Sequence, residues 1–298
     1  MTETNGPRVV HTVEELRAAI EPARRAGRTI GLVPTMGALH EGHLSLVLAS
    51  KASADVTVVS IFVNPTQFGE GEDFDAYPRT LDTDVAALSD TGADLVFAPS
   101  AGEMYGDDFS TYVVPGGPAE PLEGSSRPGH FRGVATVVLK LLNQARADVS
   151  FFGQKDYQQA AVLQQMVCDL DVPTRLIVMP IVREPDGLAM SSRNVYLDPQ
   201  QRQDATVLYR SMQKAKQLYD SGERSVAAIT QAVEQEIGTV CSTKIDYVAL
   251  VDACSLQPID RIERPAVLAL AVRIGKTRLI DNDLLGGIPD GWTFYKQN

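Results

Sequence analysis

The feature that most constrains the fold is the run DVTVVSIFV at 55–63. A strand with one wet face alternates apolar and polar residues, and this one does not, so it reads as a strand buried on both faces of a parallel sheet. Helix-like and strand-like stretches alternate around it. Helices are expected at 12–25, 41–51, 82–91, 133–145 and 157–170, and strands at 28–33, 94–98, 148–152 and 174–182. Thr12 followed three residues later by Glu15 is a capping-box pattern at the start of the first helix. The βαβα rhythm predicts an α/β fold, a Rossmann-like doubly wound parallel sheet, whose ligands bind beyond the carboxyl ends of the strands at the topological switch point.

The rhythm changes after about residue 181. Helices near 199–221 and 225–238 precede strands at 244–251, 266–272 and 278–281. This predicts a smaller C-terminal α+β domain, dividing the chain into 1–181 and 182–298.

A net charge of −11 argues against a nucleic-acid binder, which would present a basic face to phosphates. An anionic small molecule would need a local basic pocket that overrides the overall field. Cys168, Cys241 and Cys254 form no CxxC pair and read as reduced, packed thiols. No apolar run reaches the roughly 18 residues of a membrane span, and the N-terminus lacks a basic region followed by an apolar one, so a cytoplasmic protein without membrane contact is expected.

The strongest chemical signal is Val33-Pro34-Thr35-Met36-Gly37-Ala38-Leu39-His40-Glu41-Gly42-His43, which runs from a strand end into a helix. Gly37 suits a tight turn, and the following helix N-terminus presents free amides to phosphate. His40 and His43, three apart, share a helix face and could stabilise charge on a leaving pyrophosphate. An HxxH pair alone more often reflects packing, and a zinc site lacks partners, since only His11 and His130 remain. Three further loops follow strand ends. Met190-Ser191-Ser192-Arg193-Asn194 offers two hydroxyls and a guanidinium to phosphate, or a turn before a helix. In Gly153-Gln154-Lys155-Asp156-Tyr157-Gln158-Gln159, Lys155 could meet phosphate and Gln159 face the same pocket, while Asp156 reads first as a helix N-cap. Asn64-Pro65-Thr66-Gln67 puts polar amides at the end of the long buried strand, or forms an ordinary Asn-Pro turn. Gly275-Lys276-Thr277 lacks the first glycine of a Walker A loop and reads as a hairpin turn.

Taken in order, PTMGALHEGH, SIFVNPTQF, YPRT, FGQKDYQQ and REPDGLAMSSRN resemble the pantothenate synthetases, clearly from about 31 to 199 and more loosely beyond. HxGH and MSSR also look like the HIGH and KMSKS elements of the wider nucleotidyltransferase and class I synthetase group. The resemblance implies condensation of pantoate with β-alanine through a pantoyl-adenylate, consuming ATP with Mg²⁺ and releasing AMP and pyrophosphate, in a homodimer. It implies an ATP site at Pro34, Met36, Gly37, His40, Gly42, His43, Gly153, Lys155, Asp156, Val182 and Met190 through Arg193, that is Ser191 and Ser192 included. His43, His40, Lys155 and Arg193 are the implied catalytic groups, and Gln67, Gln159 and Asn64 the implied contacts to pantoate and β-alanine. Asp84 is the implied metal-side residue. Relatives often carry adjacent acids after YPRT, where this chain has Asp82-Thr83-Asp84, and GEKD where this chain has GQKD. The Gly- and Pro-rich segment 99–132 is expected to supply a lid or an oligomer contact. Competing readings are a nucleotidylyltransferase, which needs no amine acceptor, and a non-catalytic nucleotide sensor.

Overall fold

The computed structural model describes residues 6–295, so the outermost residues of the two expected domains, 1–5 and 296–298, lie outside it. The first unit runs β1 (Arg8–Val10), α1 (Val13–Arg25), β2 (Ile30–Thr35), α2 (Glu41–Ser53), β3 (Val56–Ile61), α3 (Leu81–Leu88) and β4 (Leu95–Phe97). Two single turns, α4 (Ala101–Met104) and α5 (Glu123–Ser126), lead to α6 (His130–Ala145), β5 (Val149–Gly153), α7 (Tyr157–Asp169) and β6 (Arg175–Met179). The strands lie in the order β1-β4-β3-β2-β5-β6, and every neighbouring pair is parallel. The chain winds outward from β2 through β3 to β4, then crosses to β5 and β6 on the other side. The switch point therefore falls between β2 and β5.

Side chains on a strand alternate faces, and the two faces of the sheet feed two cores. Leu32, Val58, Phe97 and Phe152 pack with α1, α6 and α7, while Val33, Val59, Val96 and Phe151 pack with α2 and α3. That is why 55–63 reads as continuously apolar. At the start of α1, Thr12 and Glu15 form the expected capping box.

The second unit contains α8 (Pro199–Asp204), α9 (Val207–Asp220), α10 (Val226–Ile237) and an antiparallel sheet of β7 (Thr243–Asp252), β8 (Ala266–Ile274) and β9 (Thr277–Leu285). Leu208 and Met212 of α9 and Ile229 and Val233 of α10 cover one face of that sheet. Gly275 and Lys276 make the hairpin turn between β8 and β9, with Gly275 at φ +58°. The two units meet through Tyr157, whose ring stacks on Trp292 and whose hydroxyl donates to the Ala253 carbonyl at 2.8 Å. The chain end then returns to the first sheet: Val178 of β6 donates to Thr293 O at 2.9 Å, and Tyr295 donates back to Val178 O at 3.0 Å.

Four local expectations change. β1 is an addition, because three residues carry no readable period. The helix expected at 199–221 is two helices, interrupted at 205–206. The strand expected at 174–182 ends at Met179, ahead of Pro180, which has no N–H for a ladder. All three cysteines are free and exposed rather than packed.

Arg183, just beyond β6, grips Asp281 of β9 through two bonds of 2.7 and 2.9 Å, and the Asp281 side chain is 1% exposed. Asp281 is the member shut away from water, so removing Arg183 leaves its charge buried and without its ion-pair partner. Arg183→Ala is expected to lower unfolding free energy by about 3–5 kcal/mol, measured by urea denaturation. A loss below about 1 kcal/mol would show that the pair is solvent-screened.

Candidate active site

A cleft of about 240 Å³ opens where the carboxyl ends of β2, β3, β5 and β6 converge, facing the second unit. Its floor is the loop after β2. There Gly37 takes φ +83° and Ala38 φ +50°, which turns two amides inward beneath the chain. Asp84, on α3 and 2% exposed, accepts from Ala38 N at 3.1 Å and Leu39 N at 2.8 Å, with Thr80 Oγ1 at 3.2 Å. A Cβ on Gly37 would press to 3.0 Å from that carboxylate, so the turn needs glycine for space as well as for φ.

The loop delivers His40 to the N-cap of α2. His40 Nδ1 accepts from Gly42 N at 3.2 Å, and His43 Nδ1 accepts from His40 N at 3.4 Å, a capping box made from two imidazoles. Their rings lie 4.1 Å apart. With both Nδ1 atoms accepting, each neutral ring carries its proton on Nε2. A Cβ at position 42 would fall 2.8 Å from the His40 ring, which explains the glycine between them. Burial, followed by the charge of its neighbour His40, holds His43 down to about 3. Burial and then Lys155 lower His40 as well. The pair is thus neutral at pH 7.

One wall of the cleft comes from the turn after β3. Asn64, 1% exposed, has its amide fully engaged: Nδ2 donates to Gln67 Oε1 at 3.0 Å and Gly133 O at 3.2 Å, while Oδ1 accepts from the hydroxyls of Tyr105 and Thr66. Gln67 Nε2 points to Met36 Sδ at 3.0 Å. Against this turn packs α6, which lines the cleft with Val134, Val137, Val138 and Leu141, an i, i+3, i+4, i+7 stripe.

The other wall is cationic. Lys155 lies in the short turn between β5 and α7, its Nζ 3.7 Å from Asp156. Asp156 occupies the N-cap position of α7 but makes no capping bond, so the capping role expected of it is absent. Ser191 caps the turn of Ser192–Tyr196 by accepting from Arg193 N at 3.2 Å. Arg193 is paired with Asp73 through bonds of 3.1 and 3.3 Å, and hydrogen bonding and charge from Asp73 outweigh its desolvation and raise its pKa.

Of the residues anticipated from sequence, the cleft brings together Pro34, Met36, His40, Gly42 and His43 from the first motif. It adds Asn64, Gln67, Gly153, Lys155, Asp156 and Gln159, then Val182 and Met190 with Ser191, Ser192 and Arg193. Gly37 and Asp84 do not line it. Asp84, the residue expected on the metal side, is buried behind the loop, where its carboxylate accepts from two backbone amides. Among the described residues, no three acidic, histidine or cysteine side chains gather as a metal cage. Sequence reading missed Arg127 and His130. Arg127 pairs with Glu72 at 2.6 and 2.7 Å and donates to His130 Nε2, and His130 Nδ1 in turn reaches Gln67 O at 2.8 Å. The signal was Arg127-Pro128-Gly129-His130, two cationic types in a Pro-Gly turn ahead of a helix.

The model of the Pantoate-beta-alanine ligase family matches residues 8–284. The chain is 51% identical over 279 residues to the pantothenate synthetase of Thermotoga neapolitana, covering 94% of this chain and 100% of that one. It is 52% identical over 278 residues to the pantothenate synthetase of Pelotomaculum thermopropionicum, covering 93% and 99%. The crystal structure of pantothenate synthetase from Thermus thermophilus superposes with a TM-score of 0.88 at 45% identity, over 93% of this chain and 98% of that one. A pantoate-beta-alanine ligase from Francisella tularensis, complexed with beta-gamma ATP and beta-alanine, superposes with a TM-score of 0.76 at 35% identity, over 93% and 97%.

The lowered pKa of His43 has a signed consequence. Between about 3 and its ordinary 6.5 the unfolded chain binds a proton that the folded chain refuses, so stability rises with pH across that window. Unfolding free energy should climb from about pH 4 to 6.5, with His43 contributing no more than about 1.4 kcal/mol per pH unit. In His43→Gln the slope should flatten. An unchanged slope would mean that the folded imidazole titrates normally.

Proposed function

The chain belongs to the pantoate–β-alanine ligase family, and we propose how its cleft carries out the ATP-dependent joining of pantoate to β-alanine. The supporting observation is the pair of neutral imidazoles, each with an Nε2 proton, seated at a helix N-terminus and facing Lys155 and Arg193 across one cleft. Amide formation from a carboxylate requires that one oxygen become a leaving group. A pantoate carboxylate oxygen attacks the α-phosphorus of ATP, the bond to the bridging oxygen breaks, and pyrophosphate leaves. The β-alanine amine then attacks the acyl carbon, loses a proton, and expels AMP.

His43 and His40 donate Nε2–H to phosphate oxygens as charge builds, and the free amides of α2 add their field. Lys155 and Arg193 supply counter-charge to the triphosphate, with Ser191, Ser192, Asp156 and Val182 completing the nucleotide side. Gln67 and Gln159 hold the hydroxyl and carboxyl groups of pantoate, and Asn64 keeps Gln67 in place. The α6 stripe suits pantoate's gem-dimethyl carbon and sheds water from the acyl-adenylate. Mg²⁺ enters with the triphosphate as part of the substrate, consistent with a cleft whose described residues offer anion-binding groups and no acidic cage.

The same reading extends to the whole molecule. Residues 1–181 form the ATP- and pantoate-binding domain, and 182–298 a smaller C-terminal lid domain that closes its cationic wall. The extended stretch around Tyr112 and Val114, 40% and 75% exposed, supports the homodimer reading, since such apolar surface suits a second copy. Three exposed, free thiols favour the reducing cytoplasm. Among the described residues no helix is long and apolar enough to cross a membrane.

The decisive assay follows pyrophosphate and AMP release from purified protein with ATP and Mg²⁺, adding pantoate and then β-alanine. Expected is a pyrophosphate burst on pantoate alone and sustained turnover with both acids. A stable adenylated product made without β-alanine would favour a nucleotidylyltransferase, and binding without turnover a sensor. His43→Ala should lower kcat by about 10²–10³-fold, as loss of a positioned donor does elsewhere. Gly133→Ala tests the pantoate wall: its Cβ would collide with the Thr66 carbonyl and fall 2.7 Å from Gln67 Cα. That backbone must shift, and KM for pantoate should rise at least about tenfold. A variant with unchanged KM would remove Gln67 from pantoate binding.

A further inference from the structure

One polar side chain of the C-terminal sheet reaches across to the turn that carries Lys155. Asn282, on β9, is 3% exposed. Its Nδ2 donates to Gln154 O at 3.0 Å and to Lys155 O at 2.9 Å, while its Oδ1 accepts from Gln154 Nε2 at 3.3 Å. A single amide thus engages two consecutive carbonyls and the side chain between β5 and α7. The turn has no side-chain cap of its own, since neither Gly153 nor Asp156 makes a capping bond. Its orientation is set from outside.

We propose that Asn282 is a positioning residue for Lys155, fixing from the C-terminal unit the ammonium that meets ATP; this rests on the ligase reading above. Part-buried carbonyls that lose their donors must find others, so the turn would rotate toward new partners and take the Lys155 stem with it. Displacements of about 1 Å at a reacting centre cost up to about a hundredfold in rate. The preceding residue, Asp281, holds Arg183 at the start of the segment leading to Met190 and Arg193. Adjacent residues of one strand therefore bond the turn that carries Lys155 and the start of the segment that leads to Arg193. An alternative role for Asn282, simple cohesion between the two units, predicts a loss of stability that is indifferent to Lys155.

The experiment separates these roles with pantoate-dependent exchange of labelled pyrophosphate into ATP. It compares the wild-type chain, Asn282→Asp, Lys155→Met and the double variant, with thermal melts of each. Asn282→Asp is isosteric but turns a carboxylate oxygen toward two carbonyls. Expected is a drop in exchange kcat of about 10–100-fold with KM for pantoate unchanged, shrinking below about threefold in the Lys155→Met background. Equal losses in both backgrounds, or no loss, would overturn the proposal. If Asn282→Asp does not fold, Asn282→Ser carries the same comparison. A wild-type chain without exchange would overturn the reaction assignment and this proposal with it, whereas an active wild type with additive variants overturns the proposal alone.

Discussion

A carboxylate with 2% of its surface exposed and no ion-pair partner among the described residues must find its compensation in N–H groups, and Asp84 finds it in Ala38 and Leu39. Much else follows from that one demand. The two amides can reach it only if the chain enters the left-handed region at Gly37 and Ala38. The same bend brings His40 to the N-cap of α2, where its ring folds over Gly42 and its backbone N–H meets His43. The acid that sequence comparison would set beside a metal is therefore the post on which the phosphate-facing loop is hung.

The cleft also resolves a conflict between the net charge of −11 and an anionic substrate. Positive groups gather at the strand ends, yet each is given a local acid: Arg193 has Asp73, Lys155 has Asp156, and Arg127 has Glu72. Such pairs offset part of the positive charge at the strand ends. A triphosphate, with more charge than any of these carboxylates, competes well for the same guanidinium and ammonium.

Much of this was legible because parallel-sheet enzymes place chemistry where strands end, and strand ends are visible in sequence. The motifs at 33–43, 64–67, 153–159 and 190–194 all follow a recognisable apolar run, and all reach the cleft. What escaped notice has physical reasons. Arg127 and His130 lie in a Gly- and Pro-rich segment with no period to place them, and they reach Gln67 only through tertiary packing. Val134, Val137, Val138 and Leu141 carry a helical stripe, which says that a face is covered but not that a ligand covers it. The amide bonds of Asp84 were not legible because an acid at a motif edge looks the same whether it faces solvent, a cation or two amides. The cysteines misled because Cys is usually buried, a tendency that says nothing about three particular positions.

In the proposed mechanism, the arrangement of protons and charges gives the site a division of labour. Burial keeps both imidazoles uncharged, so neither attracts ATP through net charge. Their Nε2–H donors instead act through direction: the reciprocal cap holds them before any ligand arrives, and a donor that need not reorganise favours the state in which negative charge is greatest. Lys155 and Arg193, as full charges, would on that reading bind the ground state and the transition state together. A cleft built only from cations would hold ATP tightly and gain little rate, because uniform binding lowers KM without raising kcat. On that reading, neutral fixed donors and full charges in one cleft would separate catalysis from capture, with Asn282 of the second unit bonded to the turn that carries Lys155.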